Sequence, residues 1–93
     1  MPRRELSDEE IRADVMNRLI RRSCWGGKYL PVDSLVNWLA KRVRRNGKRV
    51  RDVIRMLVSE RYLLLHKGGK AVSLNPALSK EIIEYTERVI ERY

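Results

Sequence analysis

Apolar side chains recur at three- and four-residue intervals in four stretches of this chain, and two short apolar runs lie between the third and the fourth. Ile11, Val15, Met16, Leu19 and Ile20 mark the first helix. Ser7, followed by Asp8, Glu9 and Glu10, forms a capping box that starts it, Arg21 and Arg22 suit the negative end of its dipole, and Gly26-Gly27 stops it. Tyr29-Leu30-Pro31 has room for no more than an edge strand, because Pro31 lacks a backbone donor, and it leads into a second helix. That helix carries Val32, Leu35, Val36, Leu39 and Val43 and breaks at Arg44-Arg45-Asn46-Gly47, where Asn and Gly tolerate left-handed backbone.

The third stripe is the cleanest. Val50, Val53, Ile54, Leu57 and Val58 stand at i, i+3, i+4, i+7 and i+8, the signature of a helix that buries one face. At about 100° per residue, Lys48, Asp52, Arg55 and Ser59 point away from that face, flanked by Arg49, Arg51 and Met56. Leu63-Leu64-Leu65-His66 and Ala71-Val72-Ser73-Leu74 then read as the strands of a hairpin, with Gly68-Gly69 at a tight primed turn. Asn75-Pro76 supplies the cap and first position of a last helix that runs through Leu78, Ile82, Ile83, Tyr85, Val89 and Ile90.

At 93 residues the chain is a single domain with one core. Residues 1–6 form an N-terminal arm and 76–93 the C-terminal helix. Hydrophobic residues at 43% against 35% charged support folding over disorder. The lone Cys24 cannot form an internal disulfide, and with His66 as the single histidine no zinc set exists, so no metal or cofactor is expected. No apolar run approaches the roughly 18 residues that span a bilayer, and the polar N-terminus lacks the apolar stretch of a signal peptide. These features predict a soluble cytoplasmic protein. Absent Gln and Phe, with abundant Arg, Glu, Val and Ile, resemble the bias of proteins from hot environments.

Charge changes the picture most. The net charge is +9, and residues 41–70 account for all of it, with eleven Lys or Arg against Asp52 and Glu60 alone. Coulomb attraction to phosphate depends on local charge, so such a block between neutral flanks points to a polyanion, nucleic acid first.

The element order is helix, short strand, helix, turn, helix, hairpin, helix. It resembles the winged helix-turn-helix family from about Ser7 to Pro76, and small archaeal and archaeal-virus members in particular. The resemblance rests on the helix pair around Arg44-Arg45-Asn46-Gly47, on Glu60-Arg61-Tyr62-Leu63 leaving the third helix, and on the Gly68-Gly69 wing closing at Val72-Ser73-Leu74-Asn75-Pro76. It implies a mainly α fold with a small β-hairpin wing: a three-helix core plus a C-terminal helix. It also implies a DNA-binding protein, a transcriptional regulator without enzymatic activity, whose third helix lies in the major groove. Lys48, Arg49, Arg51 and Arg55 are then the candidates for base and phosphate contacts, with Asp52 pairing to Lys48 and Arg55 within the helix. Arg42, Arg44 and Arg45 at the inter-helix turn anchor phosphate, and Lys67 and Lys70 either meet backbone or minor groove or simply keep the hairpin soluble.

The remaining chemistry-bearing residues read as structural. Trp25 and Trp38 cover the core edge in preference to stacking on bases, His66 is a strand residue, and Cys24 is a small apolar one. With no phosphate loop or triad-like set, an enzyme and a small-molecule substrate are not expected. On the last helix Ile82, Tyr85 and Val89 form one stripe, and Ile83, Thr86, Ile90 and Tyr93 a second. The second stripe suits a homodimer built on Ile83, Ile90 and Tyr93 that reads a pseudo-palindrome. RNA or ribonucleoprotein binding, and a protein-interaction module using the last helix, are the alternatives.

Overall fold

Ser7 and Glu10 close the capping box expected of them. The Ser7 oxygen accepts from the Glu10 N–H at 3.2 Å, the Glu10 carboxylate accepts from the Ser7 N–H at 2.9 Å, and α1 (Asp8–Arg21) begins there. The computed structural model describes residues 7–41 and 47–90; the N-terminal arm (1–6), Arg42, Arg44, Arg45 and Tyr93 lie outside the described residues. α1 is the central helix, packed against α4 (Ser79–Ile90) on one side and against α2 (Val32–Ala40) and α3 (Gly47–Ser59) elsewhere. Contact on several sides buries Glu10, Ala13 and Asp14 along with Ile11, Val15, Met16 and Leu19.

The end of α1 differs from the glycine stop that the sequence suggests. α1 ends at Arg21, ahead of Gly26, because Ser23 takes a left-handed φ of 54°. The Ser23 N–H then bonds the Ile20 carbonyl and the Cys24 N–H the Leu19 carbonyl, each at 2.9 Å, which satisfies two orphan acceptors. α3 ends at Ser59 by the same device, within the Glu60-Arg61-Tyr62 exit expected of it: Arg61 takes a φ of 70°, and 3.0 Å bonds run from the Arg61 N–H to Val58 O and from the Tyr62 N–H to Leu57 O. Pro31 caps α2, which ends at Ala40, and Val43 lies outside the described residues.

β1 (Leu30–Pro31), β2 (Leu63–His66) and β3 (Ala71–Leu74) form an antiparallel sheet of order β1-β3-β2. The hairpin therefore gains a third strand, the edge strand at Pro31. Its register pairs Leu63 with Leu74 and His66 with Ala71, so the connection is four residues, Lys67–Lys70. Lys67, Gly68 and Gly69 carry φ of 55°, 65° and 93°, a longer left-handed turn than the two-residue primed turn expected. The Lys70 carbonyl accepts from the Val32 N–H at 2.9 Å, which ties this wing to the first residue of α2.

Every residue of β3 is buried. Val72 and Leu74 join the helical core, and the other face is closed by the loop after α1. There the Gly26 N–H donates to Leu74 O at 2.9 Å, and the Ser73 hydroxyl donates to Gly26 O at 2.7 Å. The last helix starts one turn later than its sequence suggests. Asn75 accepts from the Ala77 N–H at 3.0 Å and Pro76 opens a 3-10 turn, Pro76–Leu78, from which α4 follows. Ile82 and Val89 are buried, and so is Thr86, which donates to the Ile82 carbonyl. Thr86 thus belongs to the inner face of α4 and leaves the second stripe. Among the described residues the product is four α-helices with a small three-stranded antiparallel sheet.

The Leu63-Leu64-Leu65 run separates sharply by position. Leu63 is 1% exposed and Leu65 53%, although residues two apart in a strand share a face: Leu63, opposite Leu74, lies within the core, while Leu65 stands two residues further toward the wing and lines the groove beside α3. Urea denaturation should show Leu63→Ala losing about 2–5 kcal/mol, and Leu65→Ala changing stability by no more than about 0.5 kcal/mol.

Candidate nucleic-acid interface

The buried stripe of α3 dictates what its other face presents. Val50, Val53, Ile54 and Leu57 are at most 4% exposed, so Lys48, Asp52 and Arg55 are turned outward. Lys48 and Arg55 side chains are 88% and 80% exposed and share Asp52, at 3.8 Å and 3.6 Å. Both separations are long for charge-assisted bonds, so solvent and a stronger anion compete easily for the two cations.

Arg49 and Arg51 behave differently. Arg49 turns back to α1, where its Nε donates to Asp8 at 3.0 Å, and its side chain is 26% exposed. Arg51 donates to Asp33 in the first turn of α2 at 2.7 Å. These carboxylates lie 41 and 18 positions away in the chain, and no local pattern announces either pair. They hold α3 against its neighbours and fix two arginine heads in place. Of the sequence candidates, Lys48 and Arg55 project freely from α3, while Arg49 and Arg51 are anchored.

The wing lies beside this helix. Arg51, Ile54, Arg55 and Val58 of α3, Leu65 of β2 and Gly69 of the wing line one groove of about 420 Å³, with Val32 at its end. Its floor is apolar and its rim cationic. Lys67 and Lys70 are both exposed, and the Lys67 ammonium stands 5.9 Å from the Tyr29 ring centroid. Tyr29 in turn stacks on His66, with centroids 4.7 Å apart. His66 Nε2 is 2.8 Å from the Ser73 oxygen. Ser73 has already given its proton to Gly26 O, so His66 is the donor and carries hydrogen on Nε2.

Other residues singled out in the sequence take supporting places. Trp25 and Trp38 are half-buried against the core, and Arg18 covers the Trp38 ring at 4.7 Å. Ile83 is 38% exposed on α4, Ile90 is half-buried, and Tyr93 falls outside the described residues, as do Arg42, Arg44 and Arg45. Among the described residues no group of His, Cys, Asp and Glu could hold a metal, and no helix is long and apolar enough to cross a membrane.

Arg12 is a functional residue of the fold that its sequence context hides. It pairs with Glu60 beyond α3, its guanidinium lies 5.8 Å from the Tyr85 ring centroid, and Tyr85 donates to the Glu9 carbonyl at 3.2 Å. One side chain thereby joins α1, the end of α3 and α4.

Cys24 is 1% exposed, its thiol donates to the Arg22 carbonyl, and burial pushes its pKa up. A raised pKa keeps the thiol protonated at neutral pH and removes the reactive thiolate. A disulfide reagent at pH 7 should therefore label Cys24 only at the unfolding rate, with full and fast labelling in denaturant. No protein-family model, curated protein or solved structure matches this chain.

Proposed function

We propose that this chain is a winged helix-turn-helix protein that binds duplex DNA through α3 and the wing and acts as a transcriptional regulator. The observation that carries the reading is the shared groove. Arg51 and Arg55 on α3 and Gly69 in the wing border the same furrow, which supports a surface shared by the helix and the wing. Asp52 is the acid on the outward face of α3 and already divides itself between two cations.

In this reading α3 enters the major groove with its N-terminal half nearest the bases. Arg55 is the residue placed to fork onto guanine O6 and N7, and Lys48 meets phosphate. Lys67 and Lys70 take the neighbouring backbone or minor groove. Arg49 and Arg51, held by Asp8 and Asp33, set the angle of the helix and add charge at its edges. Ile83, exposed on α4, and the half-buried Ile90 are the described residues at which a second copy would pack, which gives a homodimer and two half-sites about one helical turn apart. Arg42, Arg44 and Arg45 add phosphate anchors in the same reading. The protein works in the cytoplasm, where a lone cysteine stays reduced.

Titration of a random duplex at several salt concentrations tests this. With four or five phosphates neutralised, log Kobs should fall against log salt with a slope of about −4; a flat response would remove the electrostatic basis. Lys67→Ala should reduce that slope by about one for every sequence, whereas Arg55→Ala should lose about 1–3 kcal/mol of discrimination at one base pair. Asp33→Asn releases Arg51 and should strengthen binding at low salt, a gain that Arg51→Ala in the same background cancels. Structured RNA that outcompetes the duplex would reassign the surface to RNA.

A further inference from the structure

A second cationic surface lies on α1. Between Asp14 and Asp33 the chain holds Arg18, Arg21, Arg22 and Lys28 and no acid at all. Residues 7–40 as a whole hold five cations and five acids, because Asp8, Glu9, Glu10 and Asp14 stand at the other end of the helix and Asp33 on α2. Folding does not bring the two ends together. Arg21 and Arg22 are exposed, and among the described residues neither they nor Arg18 forms an ion pair.

The patch has a defined shape. The Arg18 guanidinium lies 4.7 Å from the Trp38 ring centroid, which restrains the side chain and leaves its N–H edge for an acceptor. Two shallow depressions, of about 210 Å³ and 170 Å³, adjoin it. Asn17, Arg18, Arg21 and Trp38 line the first, while Arg18, Arg22 and Ser34 with two leucines line the second. The helix dipole favours cations in a last turn and explains why arginines stand there. It does not account for the Trp38 seat.

This patch and the α3 face lie on opposite flanks of α2. A Cβ placed on Gly47 would meet Val36 Cγ1 at 3.3 Å, so Val36 marks the flank toward α3, and Trp38 marks the flank toward α1. At 100° per residue the two positions are about 160° apart around the helix. A straight duplex seated on α3 and the wing is therefore directed away from Arg18, Arg21 and Arg22.

We infer that Arg18, Arg21 and Arg22, with Trp38 as their support, bind the sugar-phosphate backbone of a second nucleic-acid segment, so that one protein bridges two duplexes. The inference rests on the α3 and wing reading for the first duplex. Anionic lipid fits less well, since none of the exposed large apolar side chains, Tyr29, Met56, Leu65 and Ile83, lines this patch to enter a bilayer.

The test is a capture assay in which one random duplex is fixed to beads and a second, labelled random duplex is retained only through the protein. The wild-type chain should retain it. A variant carrying Arg18→Ala, Arg21→Ala and Arg22→Ala should bind a single duplex within about threefold of wild type and lose at least tenfold of the bridging. Its unchanged single-duplex affinity and thermal melt show that it is folded. Single-duplex binding without bridging by the wild type would sink the inference and leave the α3 reading intact; no duplex binding at all would sink both. Bridging that survives the triple substitution but disappears in Ile83→Glu would assign it to self-association through α4 and overturn the inference. So would a triple variant that bridges normally but no longer binds phosphatidylserine vesicles.

Discussion

Burial of Val50, Val53, Ile54 and Leu57 is the interaction on which the arrangement depends. Each such aliphatic side chain contributes about 1.5–3 kcal/mol on leaving water, whereas an exposed ion pair contributes about 0–1 kcal/mol. The stripe therefore decides how α3 is rotated, and the charged residues follow. Lys48, Asp52 and Arg55 face outward because their neighbours must face inward. The Asp8–Arg49 and Asp33–Arg51 pairs then act at the edges of the helix, where a modest energy still fixes side-chain position.

What the chain reveals before folding depends on how local the cause is. The Ser7–Glu10 box and the α3 stripe are legible because each is complete within a few residues and follows a fixed period. Ser23 as a helix stop is not legible, and neither is the left-handed φ of Arg61 within the exit that the sequence does mark. A left-handed φ normally selects glycine, and here the chain tolerates a conformation costing about 1–2 kcal/mol because paired backbone bonds and the burial of Leu19 and Leu57 hold it. The wing shows a middle case. Gly68-Gly69 marks the reversal correctly, but its length is set by the pairing of His66 with Ala71 and by the bond from Val32 to Lys70, which join distant segments. The helical content, the small sheet and a short edge strand at Leu30 are thus readable, while the pairing of that strand with β3 and the burial of both faces of β3 come from tertiary contact.

The candidate site divides in the same way. Charge counting marks residues 41–70 as the cationic block, and periodicity turns Lys48 and Arg55 outward with Arg49 and Arg51 beside them. It gives no sign that Arg49 and Arg51 are held by acids on other helices. It also averages over α1, whose acidic and basic halves cancel in sequence yet occupy different ends of a helix of 14 residues. A net charge is a sum, while a partner meets a surface, and the fold converts one into the other.

The most direct test of the central claim is a map of backbone amide shifts by two-dimensional NMR as a random duplex is titrated in. Binding through α3 and the wing predicts the largest changes at residues 47–56 and 67–70, with the buried amides of β3 little affected. Changes confined to α4, with α3 and the wing silent, would contradict it.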